Sequence, residues 1–345
     1  MSWFWFALLS LLFWGGADLF YKRGADEADR YSHLKTSICV GLVMGAHAII
    51  LLLLKSDLHY DWRNLYIYLP VSFFYIASMT IGYLGLRYLE VSITSPIENS
   101  SGAVTCVLLL IVLKQWLDLP SVIAVILITA GVVVLGYLER RAMAGEEAMA
   151  AKKYVYGWKA LLFPVAYCFL DAMGTFLDGY YLDDFEKTPL VGVTEETFED
   201  VANISYELTF LIVAIVLLIY VVFIRKSSLR VPKTVDRGVA AVLETAGQFF
   251  YVYAMSGNAV VAAPMIGAYC IVSLLLGRIF LKEKLTKWQY AAVAAVIAGI
   301  VILGVMEGLG EAEGAADETG PETAAETVEA ALPAPDFAFS GYRFS

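Results

Sequence analysis

Four acidic side chains stand where the surrounding residues are apolar. Asp18, Glu98, Asp171 and Glu244 each fall in or beside a run of mainly apolar residues, of the about 20-residue length that spans a bilayer as a helix. A charge near the bilayer centre costs roughly 2.5–3.5 kcal/mol on insertion scales, so each is a functional candidate. Glu244, Gln248 and Tyr251 follow an i, i+4, i+7 spacing, which puts all three on one helix face. Glu98 and Asn99 lie in the polar patch Pro96-Ile97-Glu98-Asn99-Ser100-Ser101. A carboxyl group in a low-dielectric cavity has a raised pKa and exchanges protons near neutrality. Once ionised, the same group binds a cationic amine. Competition between proton and amine for one carboxylate is the simplest antiport chemistry, and it needs no cofactor.

Each candidate also has a structural reading. Asp18 and Asp171 could be interfacial carboxylates facing headgroup water, with Lys22 as an ion-pair partner for Asp18. Glu98 could satisfy backbone N–H groups loosened near Pro96. Glu244 could make an interhelical hydrogen bond of modest worth. His47 reads as a packing histidine, and Arg278 as a side chain that snorkels to the interface. The tyrosines and tryptophans supply stacking or cation–π contacts, or populate the membrane interfaces. HExxH and GxSxG signatures and a Walker motif are absent, and the Asp pair lacks a GxGD-type context, which weighs against an intramembrane enzyme and against ATP-driven pumping. A non-transporting scaffold, docking partners through an acidic loop and tail, is the other alternative. Cys39, Cys106, Cys168 and Cys270 all lie in apolar runs without metal or redox spacing, so they read as packing residues.

The elements that hold these residues are apolar helices. Hydrophobic residues make up 59% of the 345 and charged ones 17%, far from a soluble domain. Spans are expected near Trp3–Phe20, Leu34–Leu54, Leu65–Leu84, Val91–Leu113 and Pro120–Leu138. A second set is expected near Val155–Thr175, Ile204–Ile224, Val239–Ser256, Ala259–Leu281 and Gln289–Met306. None alternates with period two, so helices are preferred to barrel strands. The N-terminus lacks a positive charge ahead of its apolar run and reads as a retained first helix.

The second set repeats the first. At an offset of 168 residues Tyr83, Pro96, Lys114, Leu117, Gly131 and Gly136 fall on Tyr251, Pro264, Lys282, Leu285, Gly299 and Gly304, with 15 identities in 54 positions. At an offset of 153 the first helices align and Asp18 falls on Asp171, whereas Glu98 meets Ile266. Five spans per repeat is an odd number, so the repeats are expected to enter the membrane from opposite sides. The fold class is therefore an all-α integral membrane protein of ten helices in two inverted five-helix repeats. The divisions are 1–139, a basic connection 140–154, 155–306, and a disordered acidic tail 307–345. Asp183 to Asn203 reads as a hydrated acidic loop, dispensable for folding. Odd-numbered loops hold 18 Lys and Arg against 5 in the even loops and termini, which puts the odd loops in the cytoplasm and both termini outside.

The segment Tyr251, Ala254, Ala259, Pro264, then Leu281-Lys282-Glu283-Lys284-Leu285-Thr286 and Gln289, followed by a Gly-spaced helix, resembles the EamA-type repeat of the drug/metabolite transporter superfamily. Trp14-Gly15 is similar to the family's opening, and the first copy departs at Lys114-Gln115-Trp116. The resemblance covers Trp3 to Met306. It implies a ten-helix secondary carrier of metabolites, amino acids or drugs, often a proton-coupled exporter, in the cell membrane. Its implied cytoplasmic termini conflict with the Lys/Arg count, which takes precedence here. The expected partners are a small-molecule solute, protons or another coupling cation, and the bilayer, with no nucleic acid.

Overall fold

The computed structural model describes residues 2–318 apart from 25, 27–28, 56–57, 86–99, 148–161, 230 and 281–284. The described helices are α1 (Trp3–Gly24), α2 (Ser32–Leu54), α3 (Arg63–Ile67), α4 (Leu69–Gly85), α5 (Ser101–Leu113) and α6 (Leu119–Glu147). They continue as α7 (Leu162–Leu182), α8 (Phe198–Leu218), α9 (Val231–Gly267), α10 (Cys270–Phe280) and α11 (Lys287–Glu318). Met1–Leu303 is one compact unit and Gly304–Ser345 another. In the latter, the described residues 304–318 are helical, beyond the end expected at Met306.

Among the described residues six stretches are long and apolar enough to cross a membrane: Trp3–Tyr21, Ser32–Leu54, Leu119–Leu138, Phe198–Ile224, Lys233–Phe280 and Lys287–Ala312. Leu69–Ile81 and Ser101–Leu113 are shorter apolar helices. Large apolar side chains point outward, among them Leu53, Ile111 and Phe223. Asn64, Asp178, Asn203 and Glu207 are fully buried. Such an inverted distribution suits a chain whose outer solvent is lipid.

Lys233–Phe280, at 48 residues, is more than twice the about 20 residues that one crossing takes. It breaks twice. Asn258 leaves helical geometry at φ −164° and ψ 79°, between the two spans expected there. The second break, at Ala268 and Tyr269, divides what the sequence suggests is one span. It follows Pro264 by a turn; proline removes a helical hydrogen bond and crowds the preceding turn. The chain recovers through tighter bonds, from Ala268 N–H to Met265 C=O at 3.2 Å and from Tyr269 N–H to Ile266 C=O at 2.9 Å.

The helices pair across the molecule rather than along the chain. α1 lies against α9 and α10, α2 against α8, α4 against α7, and α5 against α7 and α9. α6 and α11 make a reciprocal contact. Gly131 fits against Ala292 and Val296, and Gly299 fits against Ala124 and Ile128. Adding 168 to 131, 124 and 128 gives 299, 292 and 296, so each partner repeats the other's contact.

The acidic segment departs from expectation. α8 begins at Phe198, so Glu199 and Asp200 occupy the first turn of a helix, where negative charge complements the helix dipole. Val201, Ala202 and Asn203 are buried. Upstream, the Asn64 amide donates to Val191 C=O and its carbonyl accepts from Val191 N–H, each at 2.9 Å. Leu190 is buried too. The connection from α7 to α8 is thus docked on α3, which corrects the picture of a free, hydrated loop.

Candidate functional site

Three helices each present one polar stripe to a common cavity of about 230 Å³. Trp14, Asp18 and Tyr21 come from α1, Tyr167, Asp171 and Thr175 from α7, and Glu244, Gln248 and Tyr251 from α9. Each set has helical spacing, so a straight helix aims it one way. α4 adds Tyr75 and Met79, α5 adds Ser101 and Gly102, and α8 adds Tyr206. Tyr269 lines the cavity from the break between α9 and α10. The unwound turn after Pro264 is what brings it there.

Close helix approach sets the walls. A Cβ on Gly247 would lie 2.3 Å from Trp14 Cδ1, so only glycine lets the indole lie flat against α9. Trp14 Nε1–H then donates to Glu244 C=O at 3.2 Å. The same ring stacks on Tyr251, with centroids 5.2 Å apart. On the opposite wall the Tyr75 ring lies against Gly174. Its hydroxyl is 2.8 Å from both Thr175 Oγ1 and Tyr251 OH.

Hydroxyl groups surround the cavity's carboxyl groups. Asp18 accepts from Ser273 Oγ–H. Tyr21 OH donates to Glu244 Oε2 at 3.3 Å, and Asp18 lies within electrostatic range of Glu244. Ser78 and Ser101 hydroxyls reach Asp171. Among the described lining residues are three carboxylic acids, six tyrosines and one tryptophan, with no Lys, Arg or His. Such a lining favours a cation: carboxylates supply charge and aromatic faces supply cation–π attraction.

Five of the expected site residues, Asp18, Asp171, Glu244, Gln248 and Tyr251, meet in this cavity. Glu98 and Asn99 lie outside the described residues. So does the side chain of Lys22. Arg278 is exposed near the end of α10, and the four cysteines are free thiols.

His47 is not merely packed. Its Nδ1 is 2.8 Å from both carboxylate oxygens of Glu207, a residue that sequence reasoning passed over. Asp178, fully buried on α7 and bonded to Tyr68 OH, was missed as well. Its spacing from Asp171 and Thr175 repeats the i, i+4, i+7 pattern of Glu244, Gln248 and Tyr251, and that signal would have found it.

A family model described as the EamA-like transporter family matches residues 1–137 and 206–305. No curated protein matches the chain by sequence. A solved crystal structure of a protein superposes with a TM-score of 0.63, covering 88% of this chain and 96% of that one at 14% identity; at that identity the likeness shows the fold alone. The cross-paired apolar helices, the buried polar cavity and the family match over both halves lead to one assignment: the chain belongs to the EamA-like transporter family.

Proposed function

We propose that this membrane transporter is a secondary carrier that exchanges protons for a small cationic amine by alternating access. The observation that carries the reading is the cavity lining, with three carboxylic acids and seven aromatic rings and, among the described residues, no basic side chain. An ammonium ion would bind the ionised carboxylates and stack on Trp14 and Tyr251. Protonation of the same groups would release it. One proton-binding set then serves both ligands in turn, which couples the two fluxes without ATP.

The reciprocal contact of α6 with α11 supports two inverted five-helix repeats. Gly131 meets the start of α11 and Gly299 meets the start of α6, so the pair is antiparallel and its twofold axis crosses the helices. An axis perpendicular to spanning helices lies in the membrane plane, as inverted repeats require. The described helices accommodate ten spans when α9 and α10 supply two, α3 with α4 supplies one, and α5 is counted as one. The Lys/Arg distribution favours cytoplasmic odd loops and external termini in the cell membrane. Ser340→Cys tests that orientation: it should react with a membrane-impermeant thiol reagent in intact cells, and labelling only after lysis would reverse it.

The function is tested by a thermal-stability screen of purified protein against amines, amino acids and nucleosides. A ligand that binds only the folded state raises the unfolding midpoint. Aromatic monoamines such as phenethylamine should do so, and more strongly at higher pH. Stabilisation confined to anionic or neutral solutes would refute a cation site.

A further inference from the structure

We propose that Asp178 is a second protonation site, separate from the substrate cavity and joined to it by a relay of tyrosine hydroxyls. The inference rests on the proton-coupled reading above and names a residue through which the proton reaches the cavity. Asp178 lies on the same face of α7 as Asp171, about 10 Å further along the helix at 1.5 Å per residue. It does not line the cavity, and it is fully buried one turn before the end of α7 at Leu182.

Its neighbours are hydroxyl groups. Tyr68, at the junction of α3 and α4, donates to Oδ1, while Oδ2 is buried with no hydrogen-bond partner among the described residues. Among the described residues no cation forms an ion pair with it. The titratable groups facing it are Tyr68 from the α3–α4 junction, Tyr206 from α8 and Tyr251 from α9. From α5, Leu109 lies beside Gly179, the next residue. An ionised carboxylate in such a place would be heavily penalised. A neutral acid avoids that penalty, with the acid proton on Oδ2, since Oδ1 already accepts from Tyr68.

The route out is short. Tyr251 OH lies close to Asp178 and is currently bonded to Tyr75 OH at 2.8 Å. Tyr75 OH is also 2.8 Å from Thr175 Oγ1 and within electrostatic range of Asp171. A small rotation of Tyr251 joins the acid to this chain. Asp178 gives its proton to the Tyr251 oxygen, Tyr251 passes its own hydroxyl proton to Tyr75, and Tyr75 passes one to a cavity carboxylate. Asp178 becomes the carboxylate, the cavity acid becomes neutral, and each hydroxyl ends unchanged. Because the Tyr251 ring also stacks on Trp14, a cation held there disturbs the relay directly. The other end of the path is Tyr68, whose N–H bonds to Asn64 C=O, beneath the docked α7–α8 connection. In the proposed orientation this is the outer face, from which an exporter draws its protons.

Infrared difference spectroscopy on the purified full-length protein, acid minus base, tests the inference without a substrate. Asp178→Asn should remove one carbonyl-stretch band of a protonated carboxylic acid, and Tyr68→Phe should shift that band by deleting its hydrogen bond. Should Asp178→Asn not fold, the Tyr68→Phe shift decides alone. An unchanged carboxylic-acid region in both variants overturns the proposal. In proteoliposomes with phenethylamine as probe, Asp178→Asn should lose pH-gradient-driven accumulation and retain exchange of labelled for unlabelled amine. Wild-type accumulation in Asp178→Asn also overturns it. A parent protein that moves no phenethylamine at all counts against the amine reading of the cavity, and the infrared result then still decides on Asp178.

Discussion

The acids around the cavity and those between α2, α8 and α9 are the same residue types in opposite company. Asp200 on α8 pairs with Lys55, the residue after α2, and accepts from Tyr253 OH on α9 at 2.9 Å. Glu207, two turns on, receives His47 from α2 on both oxygens. Both carboxylates are shielded, Asp200 at 1% and Glu207 at 0% side-chain exposure. In the cavity, Glu244 has Tyr21 and Asp171 has Ser78 and Ser101. A buried acid held by a cation has its charge fixed, because removing either partner strands the other. A buried acid held by hydroxyls can take or lose a proton while its neighbours rotate from donor to acceptor. The Asp200–Lys55 pair of the α2–α8–α9 seam therefore reads as scaffold, and the cavity as the part that changes state.

This contrast is broken most easily in the cavity. Asp171→Asn or Glu244→Gln should abolish accumulation of phenethylamine driven by a pH gradient in proteoliposomes, with folded yield preserved. Each change removes only a charge from a site already lined by hydrogen-bonding groups. Asp18→Asn should impair coupling less, because Ser273 can bond the amide as well as the acid. Full gradient dependence in all three variants would leave a facilitator or a different coupling ion.

The seam should respond in stability instead. Lys55→Met leaves the Asp200 carboxylate buried without its cation and should cost about 1–3 kcal/mol. That is less than the about 3–5 kcal/mol of a fully buried pair, because Lys55 is half-exposed. The measurement is the unfolding midpoint alongside transport. Lost coupling at unchanged stability would erase the distinction between the two regions.

Asn64→Ala removes both bonds to Val191 and should cost about 1–3 kcal/mol for groups left unpaired. Faster proteolysis of the α7–α8 connection should accompany it. Unchanged cleavage would restore the free-loop picture. At the same end, Lys187 bonds Asp184 in a surface pair and holds that carboxyl below its usual range. A lowered folded pKa stabilises above the unfolded pKa, and that contribution disappears as pH falls through the folded value. Exposed pairs contribute little, so Lys187→Ala should leave both transport and the unfolding midpoint unchanged.

The cavity was legible in the sequence where helical spacing did the work. Glu244, Gln248 and Tyr251 announce a stripe, and the repeat carries Asp18 onto Asp171. Tyr21, Tyr75, Tyr206 and Tyr269 gave no such signal, since tyrosines in apolar runs equally suit a membrane interface. Asp178 was lost to a boundary: a span ending at Thr175 leaves it in a loop, whereas α7 continues to Leu182. Glu199 and Asp200 were hidden by their own density, because clustered acids resemble a solvated loop more than a helix start, whereas Glu207 lay inside the expected span Ile204–Ile224 and was passed over. The partners of Asp200 and Glu207, Lys55 and His47, lie about 150 residues earlier in the chain, and no local pattern reveals a contact of that range. The break at Ala268 was hidden as well, since Pro264 has Pro96 as its repeat partner and a kink alone does not say where a helix resumes.

The central claim is that proton and cation share one site, and equilibrium binding tests it most directly. Trp14 forms a cavity wall, so phenethylamine binding to purified protein can be followed by tryptophan fluorescence across pH, with Trp14→Phe to identify the signal. Competition between one proton and one amine predicts about a tenfold loss of apparent affinity per pH unit on the acid side of the site's titration. Glu244→Gln or Asp171→Asn should flatten that slope. Binding that is equally tight at all pH values, or that survives with wild-type slope in both variants, would contradict the shared site.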